Sequence, residues 1–135
     1  MPDEPVQDDL SLEQIEDEAW GDPPDDATTL MTTVHNVRRK PIGSLTAEDL
    51  RVLVGQKVGL DVLVPRTLAR LEQEPLLEGD FYPGDVLAAV LRVPPSYWSG
   101  NPEQLTRLER VISSIRNPDA DLKADIEAFR DGVRS

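Results

Sequence analysis

Apolar positions recur along most of the chain at spacings of three and four, the period of a helix with one buried face. Leu30, Val34 and Val37 follow that rule from Thr28 onward, and Arg38, Arg39 and Lys40 close the segment where cations suit the helix dipole. Pro41 and Gly43 break it. Thr46 caps the next helix, with Glu48 and Asp49 in its first turn and Leu50, Leu53 and Val54 facing inward. Gly55 and Gly59 bracket a short connection. A further helix is expected from Leu60, with Pro65 as the alternative first turn, carrying Val64, Leu68 and Leu71. Pro83 can open a helix holding Val86, Leu87, Val90 and Leu91, which Pro94–Pro95 ends before Tyr97 and Trp98. Asn101 and Pro102 start another, with Leu105, Leu108, Ile112 and Ile115 on one face. The last carries Leu122, Ile126, Phe129 and Val133. Alternation with a period of two, the mark of a half-buried strand, does not occur. The pattern predicts an all-α compact bundle of about six or seven short helices.

The N-terminus differs from this body. Residues 1–10 have two prolines, four acids and little apolar content, which predicts a disordered acidic N-terminus ahead of a single helical domain over 11–135. Ser11 and Gln14 form a capping box for a short helix with Leu12 and Ile15 on one face, stopped by Gly21 and Pro23–Pro24.

Charge sharpens the division. The chain carries a formal net charge of −12. Residues 1–26 hold Asp3, Glu4, Asp8, Asp9, Glu13, Glu16, Asp17, Glu18, Asp22, Asp25 and Asp26 and no Lys or Arg, while residues 27–135 hold the other 15 acids against all 14 bases. The arm carries the field. It would repel nucleic acid and anionic membrane, so direct nucleic-acid binding is not expected and a basic protein is the favoured partner. No apolar run approaches the roughly 20 residues of a membrane span, and the acidic start is unlike a secretory signal, so a cytoplasmic location is expected.

The inventory for chemistry is thin. There is no cysteine and one histidine, His35, which excludes the usual structural zinc ligand sets and leaves His35 as a satisfied or surface residue. The glycines match no phosphate-cradling spacing. Glu78, Asp80 and Asp85 cluster around an aromatic, turn-rich stretch and could hold a hard cation, but they lack the register of a calcium loop, and Asp85 most simply occupies a helix first turn. No cofactor and no catalytic residue is expected. In the arm, by contrast, Trp20 sits among acids behind a capped helix, as in a surface that docks on a basic groove.

Several blocks carry a resemblance. They are Leu12-Glu13, Trp20-Gly21 with Pro23, Arg39-Lys40-Pro41, Leu45-Thr46-x-Glu48-Asp49-Leu50-Arg51, Gly55-Gln56, Gly59-Leu60, and above all Glu78-Gly79-Asp80-Phe81-Tyr82-Pro83-Gly84-Asp85. In this order, over residues 11–98, the chain resembles the immunity proteins of bacterial contact-dependent growth inhibition systems. It departs mildly at Trp20-Gly21-Asp22-Pro23, where a Glu is expected at the third position. The resemblance implies a non-enzymatic antidote that binds and neutralises the toxic C-terminal domain of a delivered effector in the cytoplasm. Such toxins are commonly nucleases and often basic at the active site, which agrees with the arm's charge. Glu13, Glu16, Asp17, Trp20, Asp22, Asp25 and Asp26 are the expected contact residues, with Asp80 and Tyr82 as secondary candidates. Two other readings remain: an acidic adaptor or regulatory subunit for an unrelated basic protein, and a carboxylate-based metal hydrolase built on Glu78, Asp80 and Asp85.

Overall fold

The structure, a computed structural model, describes residues 9–18, 21–22 and 24–134. Trp20 and the first eight residues of the expected disordered stretch lie outside these. Among the described residues there are eight α-helices and no strand: α1 (Leu12–Glu16), α2 (Thr29–Val37), α3 (Ala47–Gly55), α4 (Leu60–Gln73), α5 (Asp85–Leu91), α6 (Pro95–Gly100), α7 (Pro102–Ser114) and α8 (Ala120–Arg134). A short 3₁₀ turn, Ile42–Ser44, follows α2. The chain is all-α. No described helix is long and apolar enough to cross a membrane.

The bundle is built around α5, all seven residues of which are buried. After Asp85 it is the unbroken apolar run over residues 86–91, and a stretch hydrophobic on every side must be covered on every side. The helix α3 packs on one flank of α5 and α8 on another, while α4 pairs with α7, and α2 lies against α3. Arg107 of α7 ties the second pair, meeting Glu72 of α4 through two N–H···O bonds of 3.0 Å.

Three local features differ from the sequence expectation, and one decides between its alternatives. First, α6 is an additional helix. Pro95 takes its first position, where a missing N–H costs nothing, so the proline pair that ends α5 also opens α6. It delivers Trp98 into the core, where the ring meets Tyr97 and Phe129 edge-on and donates Nε1–H to the Val93 carbonyl at 3.2 Å. Second, α5 begins at Asp85 rather than Pro83, because Gly84 in the left-handed region (φ 92°) sets its entry. Third, α4 starts at the expected Leu60, not at the alternative Pro65, through which it runs, with Gly59 (φ 64°) ahead of it. Fourth, Leu30 is exposed, so the buried face of α2 is formed by Val34, His35, Val37 and the following Arg38.

Candidate partner-binding surfaces

The acidic arm is held by the C-terminal end of α2. Ser11 caps α1, its hydroxyl accepting the Gln14 N–H at 3.2 Å while the Gln14 side chain accepts the Ser11 N–H at 2.9 Å. A helix of one turn cannot persist alone, so its stability comes from what it touches. Leu12 is buried against Gly59, where an added methyl would come within 2.8 Å of Leu12 Cδ1. Two backbone bonds fix the register: Glu13 N–H to the Arg38 carbonyl at 3.1 Å, and Ile42 N–H to the Leu10 carbonyl at 2.8 Å.

Side chains then clamp the segment. Arg38, only 1% exposed, donates Nη2–H to Glu16 at 2.7 Å and to the Glu18 carbonyl at 3.1 Å. Arg39 reaches Asp22 at 3.1 Å, Glu13 at 3.6 Å and the Gly21 carbonyl at 2.6 Å. His35 Nδ1 lies 3.2 Å from that same carbonyl, so the lone histidine is a satisfied, buried contact. Glu13, Glu16 and Asp22 are thus brought together on two arginines. Asp17, at the left-handed end of α1 (φ 53°), is exposed, as are Asp25 and Asp26 before α2, and none of the three pairs with a base among the described residues. Directly after Asp25 and Asp26, Leu30 (42% exposed) and Met31 (41%) present apolar surface in the first turn of α2. Sequence reasoning missed both as surface residues, because Leu30 fits the apolar period and periodicity says nothing of where the covering layer ends.

The second region is the loop from Leu76 to Asp85. Its organiser is Asp85, 3% exposed, whose carboxylate accepts the N–H groups of Gly79 (2.6 Å), Phe81 (3.1 Å) and Tyr82 (3.4 Å), with Arg51 Nε at 4.0 Å. Glu48, in the first turn of α3, accepts the Asp80 N–H at 2.9 Å and Arg51 Nε–H at 2.7 Å. The hydrogen bond from Arg51 holds the Glu48 carboxyl below its ordinary range against the opposing effect of burial. A Cβ at Gly79 would lie 2.6 Å from Glu48 Oε1 and 3.1 Å from Asp85 Oδ2, so a side chain here would displace the carboxylates that hold the loop. The Arg51 guanidinium stacks 4.5 Å from the centre of the Phe81 ring.

This cage turns the aromatic rings outward. Phe81 is 67% exposed and Tyr82 46%. Neither is a core plug, the role that Trp98 takes instead. Asp80 is exposed, and it is its backbone N–H that is engaged. Glu78, Asp80 and Asp85 do not converge on a common point, because the Asp85 carboxylate is turned inward onto the loop's own N–H groups; among the described residues no group of three His, Cys, Asp or Glu side chains could hold a metal ion. Asp49, next to Glu48, meets Lys40 at 2.6 Å. Burial pushes the Asp49 carboxyl up, but the bonds from Lys40 and Thr46 outweigh it and hold it below the ordinary range.

No curated protein and no solved structure matches the chain. The family model described as CDI immunity proteins, where CDI is contact-dependent growth inhibition, matches residues 14–108, from α1 into α7 and including the whole of the loop.

Proposed function

This chain belongs to the family of CDI immunity proteins, and from that premise we propose that it neutralises the toxic C-terminal domain of its cognate effector by binding it, without catalysing a reaction. The partner is a basic domain, and a nuclease is the chemistry that best fits an acidic inhibitor, because carboxylates on a rigid surface can occupy positions that substrate phosphates would take. Binding takes place in the cytoplasm, where a delivered toxin acts.

The observation that carries this reading is the division of labour among the arm's acids. Glu13, Glu16 and Asp22 hold the segment to Arg38 and Arg39, which leaves Asp17, Asp25 and Asp26 exposed to solvent, with Leu30 and Met31 exposed a few residues further along the chain. Charged groups around an apolar patch form a polar rim and a desolvated centre, the usual anatomy of an interface. Trp20, outside the described residues, is an aromatic contact expected from the sequence alone. Fixed acids also steer a basic partner, raising association rates by about 10- to 1,000-fold in a salt-dependent way.

The test is the association rate of the toxin domain with Asp17→Asn, Asp25→Asn and Asp26→Asn combined, measured across ionic strength. These positions leave the arginine clamp intact, whereas Glu16→Gln would disturb it. The rate should fall about 10-fold at low salt and lose most of its salt dependence. An unchanged rate would remove the arm as the docking surface.

A further inference from the structure

The loop from Leu76 to Asp85 presents an apolar knob whose cost to the free protein is unexplained by its own fold. Phe81, Tyr82 and Leu76 (40% exposed) put apolar surface into water from neighbouring positions. Leu76 and Tyr82 share an open cleft of about 400 Å³ with Pro83, Asp119, Asp121 and Leu122, so the knob continues onto the start of α8. Loops that merely connect helices keep such groups inward or polar.

The backbone beneath is over-determined. Three N–H groups converge on Asp85, a fourth is held by Glu48, the Gly84 N–H returns to the Leu76 carbonyl at 3.1 Å, and Arg51 supports the Phe81 ring from below. An exposed aromatic on a fixed backbone loses little entropy when a partner covers it, the property that makes such residues interface anchors.

We propose that this knob is a second anchor for the toxin domain, inserted into an apolar socket with a basic rim. The inference rests on the binding role argued above. Charge decides the occupant: the cleft lining holds Asp119 and Asp121 and no base, Glu78 and Asp80 are exposed on the loop, and Arg51 is engaged by Glu48 beneath Phe81. A second copy of this chain would bring acids against acids. The knob is also joined to the arm, because Glu48 and Asp49 are adjacent in α3, one holding Asp80 and the other Lys40, which follows the arm-clamping Arg38 and Arg39.

The test uses the full chain and the purified, catalytically inactivated C-terminal domain of its cognate effector. Phe81→Ala with Tyr82→Ala should weaken binding about 100-fold, mainly through faster dissociation, with the salt dependence of association kept. Should that variant fold poorly, Glu78→Lys with Asp121→Lys is the second probe, expected to weaken binding about 10-fold through slower association. Unchanged dissociation in a folded aromatic variant, while the triple arm variant still slows association, overturns the anchor and leaves the binding role standing. Unchanged affinity in the charge-reversed chain overturns the basic rim. Failure of the wild-type chain to bind the domain overturns both readings. Self-association abolished by the aromatic variant would assign the knob to a second copy and overturn the proposal.

Discussion

The arm from Ser11 to Asp26 and the loop from Leu76 to Asp85 are both acidic, both carry an aromatic residue in the sequence and both are bounded by proline and glycine, yet they use their carboxylates in opposite ways. In the loop the decisive acid is inside: Asp85 is buried and bonded to backbone N–H groups. In the arm the acids are on the surface, and those that pair do so with arginine side chains of a different element. A carboxylate accepting several backbone N–H groups fixes a conformation. One paired at the surface contributes little stability and keeps its charge available to a partner. The net charge of −12 counts both kinds alike, so it overstates the charge that lies open at the surface.

Substitutions can break this contrast in a graded way. The largest effect is expected for Asp85→Ala, which strands the N–H groups of Gly79, Phe81 and Tyr82 and removes a partner of Arg51. A loss of about 3 kcal/mol follows, read as a fall of about 10 °C in melting temperature. Gly59→Ala comes next. Its φ of 64° disfavours a side chain, and the new methyl meets Leu12 at 2.8 Å, so about 2 kcal/mol is expected together with faster proteolysis of the arm.

Acid should act on the junction between the two regions. Glu48 and Asp49 have lowered folded pKa values, so their contribution is complete above their ordinary values of 4.5 and 3.8 and is lost as pH falls through the folded ones. The melting temperature should stay level from pH 7 to about 5 and fall below about 4.5, and Glu48→Gln should remove part of that fall. The smallest effect belongs to Arg39→Ala. Its pairs with Glu13 and Asp22 are solvent-exposed, and equilibrium denaturation should show a change of no more than about 1 kcal/mol.

Much of this was legible in the chain. Helical period, proline and glycine placed most elements, and the capping box at Ser11 marked α1 correctly because its two partners lie three residues apart. Asp85 was legible only as a helix first-turn acid. Its grip on Gly79, Phe81 and Tyr82 depends on a turn that folds back through Gly84, and no local pattern encodes that path. Arg38 and Arg39 read as helix-ending cations, whereas α2 points them at an arm some 20 residues earlier in the chain. Tyr82 was expected as a secondary contact, but the outward ring of Phe81 went unread, because exposure is decided by what packs alongside and composition favours aromatics inside. The family blocks pointed to an immunity protein, and the family match over residues 14–108 agrees.

Amide hydrogen exchange of the chain, free and saturated with its toxin domain, tests the central claim most directly. Slowed exchange over residues 12–18 and 25–33 on binding is the expected result, since those amides lie under the acid-bearing surface. Exchange in the arm at the free rate, with protection confined to the outer faces of α7 and α8, would contradict it.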